Sequence, residues 1–168
     1  MGSVPQVEFH RRKLSAAFSR AQALTKDQGL GEMQADYARH LCILVSGFIE
    51  RSVAEIILAY ADGKAPAPLR AYLESSLKRL TNVDKERLLN LIGSLDASWR
   101  SELETYVIDE RQAAINSIVG LRNDIAHGGA GSISLVQVEK YWLVVQEVVD
   151  KVESLILPRP PARRYLRR

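Results

Sequence analysis

Apolar residues recur at intervals of three and four along almost the whole chain, a period that predicts one helix after another. Two long stretches, roughly 4–27 and 33–62, carry it without an interior proline. Asp62-Gly63 stops the second, and Ala65-Pro66-Ala67-Pro68 makes a connector that cannot continue a helix. Shorter helices are predicted at about 68–80, 84–95 and 97–107, with Thr81 or Asn82 available to cap the second and Asp84 and Glu86 favouring its positive end. Another helix runs from about Ile108 to Ala126, where Gly128-Gly129-Ala130-Gly131 ends it. The last covers roughly 134–157. Its Leu135, Val138, Trp142, Val145, Val149, Val152 and Ile156 step 3-4-3-4-3-4, a packing seam that outweighs the strand propensity of its valines. Pro158 ends it, and Pro160-Pro161 keeps the last residues extended. No hairpin, repeat or low-complexity tract interrupts the pattern. The fold class is all-α, a helical bundle with a long C-terminal helix.

Length narrows this to one domain: 168 residues with 46% hydrophobic and 26% charged content bury a core without disulfides or metal. The lone cysteine, Cys42, forms no internal bridge and fits a reducing compartment. The N-terminus lacks the basic and apolar regions of a secretory signal, and the most apolar stretch, Leu41 to Ala61, is interrupted by Glu50, Arg51 and Glu55. A soluble cytoplasmic protein without membrane contact is expected. The formal charge of +3 belongs to the end of the chain. Residues 158–168 form a basic Pro/Arg-rich tail with five arginines and no acid, so the domain over 1–157 has 18 basic against 20 acidic residues. The tail could attract phosphates at low salt or be a solvated end.

Some charged residues break the helical pattern. On a wheel with Ile115 at zero, Arg122 falls at about 340°, inside the apolar arc of Ala114, Ile118, Leu121 and Ile125. An arginine there costs several kcal/mol unless it is paired or faces a wet cleft. Asn116, Asn123 and His127 form a polar stripe beside that arc, with Asn123 and His127 as i,i+4 neighbours. In the most apolar helix Glu50-Arg51 interrupts two aliphatic runs, and Glu50 is the natural counter-charge for Arg122 if the helices pack.

The run Leu121-Arg122-Asn123-Asp124-Ile125-Ala126-His127-Gly128 resembles the R-x4-6-H signature of HEPN domains in its R-N-x-x-A-H-G form, and the segment Phe48 to Val53 is similar to the RiboL-PSP and MAE-28990-type branch of that superfamily. The resemblance covers roughly residues 5–157. It implies a helical bundle that dimerises to bring two motifs together, and a metal-independent endoribonuclease acting as a toxin or in abortive infection and antiviral defence. A cognate antitoxin or defence-system partner is implied with it. The chain departs at Gly129, where members silenced by a nucleotidyltransferase antitoxin commonly carry tyrosine, so tyrosine modification is not expected there.

The residues suit that chemistry. Histidine transfers protons near neutral pH, a contribution of roughly 10²–10⁴-fold. Arginine's planar fork matches a phosphate and stays charged. His127 is therefore the expected proton-transfer residue and Arg122 the charge stabiliser, while Asn123 orients His127 or donates to the phosphate. Glu50 supports them or serves as an ion pair positioning the helices. RNA would be cut by its own 2′-OH, leaving a 2′,3′-cyclic phosphate and a 5′-OH, and DNA would survive. His10 and His40 lack metal-ligand spacing, and no phosphate loop or dinucleotide fingerprint occurs, so neither cofactor nor metal is expected. The alternative is a catalytically silent HEPN-type module that binds RNA or protein and dimerises. A plain helical assembly protein stands behind it. Trp99 and Trp142 are expected as core or interface anchors rather than base-stacking platforms, and Cys42 as a buried, inert thiol.

Overall fold

A computed structural model describes residues 4–24, 31–129 and 132–158. The basic tail lies outside them from Arg159 onward. The described helices are α1 (Pro5–Leu24), α2 (Gly31–Ala61), α3 (Ala67–Leu77), α4 (Lys85–Gly93), α5 (Ala97–Tyr106), α6 (Asp109–Ala126) and α7 (Leu135–Ile156), and no strand occurs among the described residues. All seven agree with the apolar periodicity, with the ends that fall on described residues displaced by at most three residues; the expected end of the first helix, at about 27, lies outside the described residues.

The 31-residue α2 is the spine, packed against α1, α3, α6 and α7. Its inner face carries Cys42, Val45, Ile49, Val53, Ile56 and Ile57, all buried. The seam of α7 lies against it: Val138, Trp142, Val145, Val149, Val152 and Ile156 are buried, with Val148 beside them. Trp142 stacks on Phe18 of α1 at 5.9 Å and meets Phe48 of α2 edge-on at 4.8 Å, so three helices share one aromatic joint. Trp99 is only half-buried and meets Tyr60 edge-on at 5.3 Å.

Side-chain caps rather than propensity set several helix starts. Asp84 accepts from the Arg87 N–H at 2.8 Å, and Asp96 from the Ser98 and Trp99 N–H groups at 2.7 and 3.3 Å. Asp84 therefore takes the role expected of Thr81 or Asn82, because Asn82 is in the left-handed region at φ +53° and is engaged elsewhere. The Ser98 hydroxyl and the two amides together hold the exposed Asp96 carboxyl below its ordinary range.

Short polar ties join distant segments. Asn116 of α6 accepts from the Lys85 N–H at 3.1 Å, and Gln112 from the Lys85 ammonium at 2.8 Å, fixing the start of α4 on α6. No helix of the described residues is long and apolar enough to cross a membrane.

Candidate functional site

The C-terminal half of α6 rises from a buried middle, Ala114 to Val119, to a half-buried stretch from Leu121 to Asn123 and an exposed end at His127. His127 is the C-cap residue. Its own N–H donates to the Asn123 carbonyl at 3.1 Å, the Gly128 N–H to Ile125 at 3.2 Å and the Gly129 N–H to Asp124 at 2.8 Å. With Gly128 at φ +76° this is a complete Schellman ending, the conformation for which glycine at that place is selected. Gly129 is held as tightly for another reason, since a Cβ there would stand 2.9 Å from the Asp124 carbonyl oxygen.

Arg122 is half-buried, as its wheel position implied, but its partner is not Glu50. One guanidinium nitrogen, Nη1, donates to Asn82 Oδ1 at 3.2 Å and to Asn123 Oδ1 at 3.1 Å. Glu50 is half-buried too, and its Oε1 accepts from the Asn82 backbone N–H at 2.7 Å. Asn82 thus stands between the two charges, facing the acid with its amide N–H and the base with its side-chain oxygen. The expected ion pair is replaced by this relay, and among the described residues no carboxylate lies within ion-pair distance of Arg122. Asparagine suits the post because it tolerates a left-handed backbone, and its short side chain still reaches the guanidinium.

The structure therefore joins Arg122, Asn123 and Glu50, and leaves the His127 ring exposed one turn further on. No hydrogen bond between the Asn123 and His127 side chains occurs among the described residues, so Asn123 orients Arg122 instead. Asn82 is the site residue that the sequence pattern did not reveal. Its only signal was an asparagine in the turn before Asp84, which reads equally well as a cap. Asn116, placed in the same polar stripe, is used structurally on Lys85.

Two open cavities lie along α2, the first of them beside Glu50. One of about 520 Å³ lies between α2 and α3 and is lined by Glu50, Arg51, Glu55, Lys78 and Thr81 among others. The other, of about 550 Å³, lies between α1 and α2. His10 and Arg51 border both. Partial burial, reinforced by Arg51 and Lys13 against the opposing Glu55, lowers the pKa of His10. No group of three or more His, Cys, Asp or Glu side chains among the described residues is placed to hold a metal ion. Cys42 is buried, and desolvation pushes its thiol up to about 11.

A family model described as RiboL-PSP-HEPN matches residues 9–157, from the first turns of α1 to the residue after α7. The chain belongs to the RiboL-PSP-HEPN family. No curated protein and no solved structure matches it. In this HEPN domain the matched span includes both halves of the relay, Glu50 on α2 and Arg122 on α6, together with the helix end that carries His127.

Proposed function

We propose that this HEPN domain is a metal-independent endoribonuclease. The observation that carries the reading is the state of Arg122. Its guanidinium is half-buried and fixed by two neutral amide oxygens, with no carboxylate neutralising it among the described residues. A cation held in place and left uncompensated suits a phosphate, whose charge it can take up bidentately through its remaining donors. The exposed His127, borne on the same helix end, supplies a group that exchanges protons near neutral pH.

In this reading the ribose 2′-oxygen attacks the adjacent phosphorus as its proton passes to a histidine, and the P–O5′ bond breaks as the leaving oxygen gains a proton. The products are a 2′,3′-cyclic phosphate and a 5′-OH. Arg122 holds the charge that accumulates on the non-bridging oxygens, and Asn123 and Asn82 keep the guanidinium aimed. Glu50 acts through Asn82 and is a positioning residue. One chain offers one such histidine, so the reading includes a homodimer in which two helix ends face one scissile bond and divide the base and acid roles. A toxin or defence effector restrained by a cognate partner is the matching cellular role.

The test is induced expression of wild type, His127→Ala and Arg122→Ala in a bacterial host, following growth and RNA integrity. Growth arrest and RNA cleavage by wild type alone, with all three soluble and folded, is the expected result. Identical behaviour at equal soluble levels would overturn the reading in favour of a silent binding module. A strict monomer in analytical ultracentrifugation at micromolar concentration would remove the two-histidine form of the mechanism.

A further inference from the structure

Among the described residues, the charged side chains that line the groove between α1 and α2 are all basic. Lys13 and Arg20 stand two turns apart on α1, Arg51 and His40 face them from α2, and His10 sits between. Among the described residues no aspartate or glutamate lines it. This basic strip belongs to a domain with 18 basic against 20 acidic residues over 1–157, so its sign is not that of the domain as a whole. Arg11, Arg39, Arg70, Lys78, Arg111 and Lys151 each have a carboxylate partner. Among the described residues Lys13, Arg20 and Arg51 have none, and all three are exposed. The floor is apolar yet open, with Tyr37, Ile43 and Leu44 each more than a third exposed.

From this geometry we infer that the α1/α2 groove is a track for single-stranded RNA, holding the strand that flanks the scissile bond. The inference rests on the nuclease reading for its direction, and on the groove alone for its chemistry. Cations along both walls meet phosphates, and the Tyr37 ring with its aliphatic neighbours gives bases an apolar surface, the combination by which single strands are held without sequence readout. The groove also leads somewhere. It meets the α2/α3 cavity at His10 and Arg51; that cavity also carries Glu55 and Glu74, so the strand would pass on the Arg51 and Lys78 side to reach Thr81, next to Asn82, which holds Arg122. A second copy of the chain is a poor occupant, because a two-fold axis through the groove would set its cations against themselves.

The experiment measures binding without chemistry: fluorescence anisotropy of a labelled 2′-O-methyl oligouridine, which cannot be cleaved, across a series of salt concentrations. Lys13→Glu/Arg20→Glu, both on exposed positions of α1, is expected to weaken binding at low salt by about tenfold or more. It should also flatten the slope of log K against log salt by roughly 1.4, the loss of two phosphate contacts on a single strand. Tyr37→Ala should weaken binding by about tenfold at all salt concentrations. Arg87→Glu/Lys140→Glu, the same charge change on exposed residues outside the groove, should stay near wild type. An unchanged slope in the groove variant, or an equal loss in both double variants, overturns the inference. So does displacement of the oligonucleotide by polyglutamate at equal charge, which would assign the groove to an acidic protein segment. Groove-dependent binding by a wild type that cleaves no RNA would keep the track and sink the nuclease. Cleavage abolished by His127→Ala beside groove-independent binding would do the reverse.

Discussion

Replacing Glu50 separates the relay from the ion pair that the sequence suggested. Its carboxylate makes one described hydrogen bond, to the Asn82 amide at 2.7 Å, and both residues are half-buried. A hydrogen bond to a charged group contributes about 1.5–3 kcal/mol, and partial solvent access puts this one at the lower end. Glu50→Ala removes the acceptor and leaves an amide that must stay at φ +53° without a partner. A loss of about 1.5–2 kcal/mol is expected, which for a domain of this size lowers the melting temperature by roughly 3–8 °C. Glu50→Gln keeps an oxygen in the same place and loses only the charge assistance, so about 0.5–1 kcal/mol is expected. The measurement is urea unfolding by far-ultraviolet circular dichroism at one fixed protein concentration, with the m-values compared to confirm that only stability changed. If alanine and glutamine variants unfold at the same midpoint, the contact with Asn82 is not what Glu50 provides. If Glu50→Ala lies within about 0.5 kcal/mol of wild type, the relay has no energetic content and its role in aiming Arg122 falls with it.

Three further outcomes are expected. A Cβ added at Gly120, on the exposed side of α6, would meet only open space, so Gly120→Ala should raise stability by about 0.5–1 kcal/mol in urea unfolding, whereas Gly129→Ala, driven against the Asp124 carbonyl at 2.9 Å, should lower it. Trp142→Ala opens the joint between Phe18 and Phe48 and should cost about 3–5 kcal/mol, read by the same titration; a loss under about 1 kcal/mol would mean the joint is not a packing centre. The depressed carboxyl of Asp96 stabilises the fold above the ordinary aspartate range and ceases to do so as pH falls through its lowered pKa, so Asp96→Ala should flatten the acid limb of the stability–pH curve.

The helices and their seams were legible because burial imposes a period, and the 3-4 steps of α7 or the apolar arc of α6 carry that period without help from the rest of the chain. Arg122 was legible for the converse reason, as a charge on an apolar arc. Its partner was not. Pairing Glu50 with Arg122 follows from charge alone, but the contact is made by an asparagine in a turn, whose backbone sits where few residues go. Such a residue leaves no periodic trace. Arg51 illustrates the same limit: a face that runs Leu41, Leu44, Phe48, Arg51 implies that at least one of Glu50 and Arg51 points inward but not which, and it is Glu50 that is half-buried while Arg51 is exposed. The groove between α1 and α2 was invisible, since its walls come from residues that look like ordinary solvated charges on their own helices.

The ending of α6 insulates the helix from the connection to α7. Three main-chain hydrogen bonds close it over His127, Gly128 and Gly129, so the backbone that carries the imidazole is fixed before that connection begins. Lengthening or rerouting the chain beyond Gly129 changes the path to Ser134 and leaves the ring with only its own two torsions to settle. The histidine is thus mounted on a rod rather than strung on a loop, and changes of length downstream stop at the mount.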